Sequence, residues 1–249
     1  MLRLAECVLT FPETVKVHQE MGSVFHGALM ERISADSADL YHHMTLRPYS
    51  QAVYWDVERH LPVWRLGFLT DDAYERIYLP ISSCHSLHLK QKNIDVQLGK
   101  FTIVKETDYE DLAKQYIRQE KAPDSAVWRT RTVMSFKKDG RYVILPDIRL
   151  IYQSLLQRWN TFSSETRLDD DGLLDQLTNH CQLTRYQLRS QTFSVNSSTI
   201  YGCSGQMYYR FFGFDMLKRI QGILTDFAPY AGVGVKTALG MGSVDTIIG

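Results

Sequence analysis

The stretch Tyr230-Ala-Gly-Val-Gly-Val-Lys-Thr-Ala-Leu-Gly-Met-Gly-Ser-Val244 sets four glycines, Gly232, Gly234, Gly240 and Gly242, in pairs on either side of one lysine, Lys236. Glycine adopts φ > 0 freely and lets another backbone approach closely. A loop of this make-up can turn successive amide N–H groups toward one point and hold an anion there. Two nucleotide motifs fail on spacing. A P-loop needs G-x-x-x-x-G-K-[ST] opening a helix, and here Lys236-Thr237 lacks the first glycine and no helical pattern follows. In G-x-G-x-x-G the last position falls on Thr237. What remains is a loop of exposed amides cradling phosphate, or a plain glycine-rich connector before a terminal strand.

Histidines form the second group. His26 lies in a helical pattern beside Phe25 and Leu29, and His42-His43 precede Arg47-Pro48. Imidazole titrates near neutrality and so suits acid–base work, while guanidinium forks suit phosphate oxygens. Each has an ordinary alternative, since a histidine beside Phe and Leu is often a satisfied core group. Cys84, His85 and His88 suggest no metal site, because neighbours on a strand point to opposite faces. Asp169-Asp170-Asp171 reads as a solvated helix start rather than a metal cluster.

The chain has 249 residues, 44% hydrophobic and 22% charged, which is enough for one large or two small globular domains. Its 28 basic and 28 acidic residues balance, a mild argument against a nucleic-acid binder. The balance hides an asymmetry: residues 1–122 carry 14 basic and 17 acidic side chains, residues 123–249 carry 14 and 11. The second half is therefore the expected home of a polyanion. Four scattered cysteines form no C-x-x-C pair, which points to free thiols in a reducing compartment. No apolar run is long enough to span a bilayer, and the charged start Met1-Leu-Arg-Leu-Ala-Glu6 is unlike a signal peptide. The expected location is cytoplasmic.

Periodicity predicts the elements that must position these residues. A strand covers Leu2–Phe11 and a helix runs from about His18 to Ala38. Residues 39–50 read as irregular. Strands cover Gln51–Glu58 and Pro62–Leu69, a short helix follows Asp71-Asp72, and Ser83–Lys90 and Lys100–Glu106 are strand-like. A modest helix or connector covers Asp108–Gln119, and residues 120–125 read as a linker. Lys137-Lys138-Asp139-Gly140 turns a hairpin between Ala126–Phe136 and Arg141–Leu145. Asp147 caps a helix and another follows Asp171. A long hairpin joins Thr184–Val195 to Thr199–Phe211. An amphipathic helix, Asp215–Ala228, leads into the glycine run and a last strand, Val244–Ile248. The order suggests an α+β chain of tandem ferredoxin-like βαββαβ domains, 1–122 and 123–249.

Four stretches then carry a likeness to a known family. They are Gly232-x-Gly234-x-Lys236-Thr237-x-x-Gly240-x-Gly242; Arg129 to Phe136 with the hairpin, Leu145-Pro146 and a helix ending Gln157-Arg158-Trp159; Phe25-His26-Gly27; and His42-His43 ahead of Pro48-Tyr49-Ser50. Together they resemble the CRISPR precursor-RNA-processing endoribonucleases of the repeat-associated RNA-binding superfamily. The resemblance implies tandem ferredoxin-like domains and metal-independent, cofactor-free cleavage of CRISPR repeat RNA by 2′-OH attack, leaving a 5′-hydroxyl and a 2′,3′-cyclic phosphate. It implies precursor crRNA as partner and leaves room for effector-complex subunits and a homodimer.

On that resemblance His42 is the general acid or base, with His43 one residue away as its alternative. His26 is the second catalytic residue, in place of a tyrosine in some members, and Arg47 stabilises charge. Gly232, Gly234, Lys236, Gly240 and Gly242 hold the RNA backbone. Lys137, Lys138 and Arg141 enter the repeat stem, and Arg129 and Arg131 add contacts from their strand face. A-form RNA is read mainly by shape and backbone, so salt should weaken binding. A rival reading keeps the RNA binding without catalysis, as a subunit of an effector complex. A nucleotide-phosphate site is the third, opposed by the motif failures.

Overall fold

The computed structural model describes residues 1–195 and 198–249. The first half runs β1 (Leu2–Thr10), α1 (Met21–Arg32), α2 (Ala35–His43), β2 (Tyr49–Asp56) and β3 (Leu61–Phe68). A mixed helical stretch follows: α3 (Asp71–Ala73), a π segment (Tyr74–Tyr78) and α4 (Leu79–Ser82). Then come β4 (Ser86–Leu89), β5 (Ile94–Leu98), β6 (Thr102–Thr107) and α5 (Tyr109–Arg118). The second half runs β7 (Ser125–Thr130), β8 (Phe136–Lys138), β9 (Arg141–Val143), α6 (Ile148–Phe162), α7 (Leu173–Asn179), β10 (Cys181–Val195), β11 (Ser198–Phe211), α8 (Asp215–Ala231) and β12 (Val244–Ile248).

The first sheet has the order β2-β3-β1-β5-β4, and β6 also pairs with β1, each pair antiparallel. With the β4–β5 hairpin set aside, β6-β1-β3-β2 is the ferredoxin order. The second sheet, β10-β11-β7-β12, repeats it. The chain is thus α+β with tandem ferredoxin-like folds, as its pattern predicts. No helix among the described residues is long and apolar enough to cross a membrane. All four cysteines are free.

Three local expectations need correction. The single helix over 18–38 is two helices: Ile33 goes extended, and the Ser34 hydroxyl accepts the Ser37 N–H and starts α2. A serine N-cap inside an apolar pattern outweighs the periodicity on both sides of it. His42 and His43 therefore stand in the last turn of a helix, not in irregular chain. The strand over 126–136 stops at Thr130, because Arg131 to Ser135 leave the sheet to bond the glycine run. Arg131 donates to Ser243 O, Val133 O accepts from Gly242, and Ser135 O accepts from Val235. The pattern also missed β5, five residues long after Asn93 in the left-handed region. The Asp139-Gly140 turn is as expected, with φ of 49° and 77°, the pair of positive values a type I′ hairpin needs.

The halves meet through charge. Arg65, 7% exposed, reaches Glu6 at 2.7 Å and Asp245 at 2.6 Å. Arg131 also pairs with Asp245, and Arg59 with Glu6 and Asp56. Burial alone would raise the Glu6 and Asp245 carboxyls, but Arg65 and the other arginines outweigh it and hold both below the usual range. Removing one partner from such a buried network strands the others, which is costly.

Candidate active site

The glycine run is a buried brace, not an open cradle. Gly232, Gly234, Gly240 and Gly242 are all buried and all have positive φ. Their neighbourhood spends its amides inside the protein. Gly232 N–H donates to Ala228 O, Val233 to Gly242 O, Gly234 to Ser154 Oγ, Gly242 to Val133 O and Ser243 to Thr132 Oγ1. An N–H already bonded cannot also hold phosphate. The expectation of exposed amides along the run is therefore corrected. The residue that faces outward is Lys236, itself at φ 57°.

What the run does instead is carry the front of the molecule. Gln51, 2% exposed, donates to Gly22 O at 2.6 Å and to Ala238 O at 3.2 Å, while its Oε1 accepts from Trp64 Nε1 at 2.8 Å. One buried amide thus ties α1, the tail and the first core together. Sequence reasoning assigned Gln51 only to a strand; a buried glutamine in an apolar strand is the signal that was there.

On that support α1 presents His26. Its Nδ1 lies 3.4 Å from Tyr49 Oη, with the two rings 18° from parallel. Burial first, then the nearby charges of Arg47 and His42, push the imidazole down to about 4, so it is neutral at physiological pH. Arg47 and His42 thus act electrostatically on His26 from the end of α2 and the loop after it. His42 is exposed at the end of α2. Its neighbour His43 is exposed as well, with Nδ1 2.9 Å from Asp39 O. Arg47 donates from Nε to Tyr41 O at 2.7 Å.

Past His42, Thr45 and Leu46 form one wall of a cleft of about 340 Å³. Lys137 of the hairpin, Lys236 of the tail, and Gln157 and Arg158 of α6 line the rest. Arg158 is 6% exposed and its described partners include no carboxylate. It donates to Ser154 O and Oγ, to Gly234 O at 3.0 Å and to Thr237 Oγ1 at 3.2 Å. Burial pushes its guanidinium down to about 10, which still leaves it charged at neutral pH. A buried cation bonded only to neutral oxygens makes the cleft electropositive. Arg158 entered the sequence reading only as part of a helix ending.

Thr45 and Leu46, which lie between His42 and Arg47 in the chain, share the cleft with Lys137 and Lys236. Lys138 and Arg141 are exposed on the same hairpin as Lys137. Arg129 and Arg131 go elsewhere. They line a separate groove of about 710 Å³ with Gln187 and Arg189, and each is bound to a carboxylate, Arg129 to Glu58 at 2.5 Å and Arg131 to Asp245.

The description CRISPR-associated endoribonuclease Cas6 fits residues 129–244 of this chain at the level of a family-wide sequence model. A CRISPR-associated endoribonuclease Cas6 from Streptococcus thermophilus is 29% identical over 246 residues, 97% of each chain. This chain is similar to the Cas6 family, through its second half to the family model and along nearly its whole length to that relative. A Cas6 from Mycobacterium tuberculosis is 27% identical over 90% of this chain and 71% of its own. A solved Cas6 product complex superposes with a TM-score of 0.82 at 21% identity, covering 99% of this chain and all of that one. The Cas6 family match lies in the second half and stops short of α1 and α2. His26 and His42 thus rest on geometry rather than on that match.

Proposed function

We propose that this chain is a metal-independent endoribonuclease that cleaves precursor crRNA within the CRISPR repeat, leaving a 5′-hydroxyl and a 2′,3′-cyclic phosphate. The observation that carries it is the electrostatic influence of Arg47 and His42 on His26, with Thr45 and Leu46, between Arg47 and His42 in the chain, lining a cleft shared with Lys137 and Lys236. Self-cleavage of a ribose phosphate needs a group to take the 2′-OH proton, donors to meet the charge on the phosphorane and a geometry that lines up attack. His42, exposed, suits the proton transfer. His26, neutral, suits a hydrogen bond, and Arg47, with one N–H spent on Tyr41, keeps its fork for phosphate oxygens.

In this reading Lys137 and Lys236 hold backbone phosphates next to the scissile one, with Lys138 and Arg141 further along the stem. The glycines serve by shaping the tail that presents Lys236, and Arg129 and Arg131 by flanking the second groove. The catalytic residues sit in an N-terminal domain, 1–122, and the phosphate-binding tail and hairpin in a C-terminal domain, 123–249.

Single-turnover cleavage of the host's repeat RNA in excess EDTA tests the proposal. Wild type cleaves, and His26→Ala and His42→Ala each slow the step by about 10²-fold or more with RNA affinity little changed. Full activity in both variants would discard the site. Tight binding with no cleavage by wild type would favour a non-catalytic RNA-holding subunit instead.

A further inference from the structure

A neutral imidazole has one N–H and one lone pair, and which nitrogen carries which decides what it can do. Tyr49 is 1% exposed. Its ring is held edge-on against Tyr41, 0% exposed, at 5.3 Å between centroids, and lies nearly parallel to His26. Burial pushes the phenol's pKa far up, so it keeps its proton. Among the described residues its hydroxyl has a single hydrogen-bond partner, His26 Nδ1. At 3.4 Å the bond is long, as catalytic hydrogen bonds often are before substrate tightens the site. A buried O–H needs an acceptor. If Nδ1 carried the imidazole proton, two donors would face each other and the phenol proton would have nowhere to go.

We propose that Tyr49 is a positioning residue that holds His26 as the tautomer protonated on Nε2, so that His26 enters the reaction as a neutral hydrogen-bond donor and proton transfer falls to His42. The inference rests on the reading of His26 and His42 given under the proposed function. Burial and the flanking charge of Arg47 agree with it, since they keep the ring neutral. The proton account closes without His26. His42 takes the 2′-OH proton, O2′ bonds to phosphorus, and the P–O5′ bond breaks with its electron pair on O5′. Water supplies the proton that O5′ takes, and His42 returns its own to solvent. Throughout, His26 Nε2–H donates to a phosphate oxygen and neither gains nor loses a proton.

Ring ¹⁵N shifts of labelled histidine separate the tautomers directly, with the His26 signals assigned by their loss in His26→Gln. The expected wild-type pattern at neutral pH is a pyridine-type Nδ1 and a pyrrole-type Nε2. In Tyr49→Phe, which keeps the aromatic packing, both signals move toward an averaged mixture. Cleavage slows about 5- to 10-fold while affinity for uncleavable 2′-deoxy RNA stays within about 2-fold. His26→Gln places an amide N–H near the Nε2 position and retains activity within about 10-fold of wild type. His26→Ala loses about 10²-fold. If His26→Ala cleaves normally, the site reading fails. If His26→Ala is inactive but the wild-type ring is protonated on Nδ1, or Tyr49→Phe leaves the tautomer unchanged, the Tyr49 assignment fails while the site reading stands.

Discussion

Gly22, in the first turn of α1, lies backbone to backbone against Gly240 of the tail. A Cβ on Gly22 would stand 2.7 Å from Gly240 Cα, and one on Gly240 would stand 2.8 Å from Gly22 Cα. The helix that carries His26 is therefore seated directly on the glycine run, 218 residues away in sequence (240 − 22). Both partners are backbone, so neither can swing aside. Gly22→Ala should destabilise by about 1–3 kcal/mol, the usual cost of overpacking, read by urea denaturation. Gly240→Ala should cost more, because φ of 112° adds strain to the clash. In both variants cleavage should fall further than RNA affinity, since the displaced element carries the imidazole. Wild-type stability in Gly22→Ala would show that the contact is loose.

Arg158 joins α6 to the tail and carries an unpaired charge into the cleft wall. Arg158→Met should remove four hydrogen bonds and destabilise by about 2–4 kcal/mol, with Gly234 O and Thr237 Oγ1 left unmet. Arg158→Lys should not restore stability, because an ammonium cannot span Ser154 and Gly234 as the planar fork does. Thermal melts of the two variants check this. Full stability in the lysine variant would mean that charge alone matters there.

Lys137 and Lys236 rim the same cleft from different elements. If each meets one RNA phosphate, Lys137→Gln and Lys236→Gln should each lower the slope of log K against log salt by about 0.7–0.9. The same substitution at Lys121, on the connector after α5, should leave that slope unchanged. Titration of uncleavable repeat RNA at several salt concentrations measures it. An unchanged slope in Lys236→Gln would take the tail out of the phosphate contacts.

Stability should depend on pH in two steps. His26 titrates near 4 when folded against an ordinary value of 6.5. Between those values the unfolded chain binds more protons than the native state, so stability rises with pH across the window and is fully present above it. From about pH 6.5 down to about 4 the fold should lose about 3 kcal/mol, and His26→Gln should abolish that step. Glu6 and Asp245 lie on the other side. Their folded values are depressed, so the stability they lend is present above about pH 4 and drains away as pH falls further. Denaturation midpoints from pH 8 to pH 3 report both steps. A flat profile above pH 4 would mean that His26 is solvated.

Much of the architecture was legible before any coordinates. Asp139-Gly140 names its own turn, because few residues accept two successive positive φ values. Asp147 caps α6, and its side chain accepts the Leu150 N–H as such caps do. The alternation of strands and helices gives the ferredoxin order twice, since period and turn chemistry are properties of neighbouring residues. The same local character explains the misses. The Ser34 cap was one residue inside an apolar pattern, and β5 was too short to stand out from its hairpin.

The site is different in kind. Nothing near Gly232 in the chain says whether its neighbours' amides will meet phosphate or Val133 O, Ser154 Oγ and Thr132 Oγ1. Residue type set what each group can donate or accept, and chain position set which groups share a strand or a helix. Which donor found which acceptor depended on packing between separate elements of the chain. Gln51 bridging Gly22 and Ala238, Tyr49 reaching His26 and Gly22 resting on Gly240 are all contacts of that sort. A folded interior must satisfy every buried polar group at once, and that condition belongs to the whole arrangement, not to any stretch of it.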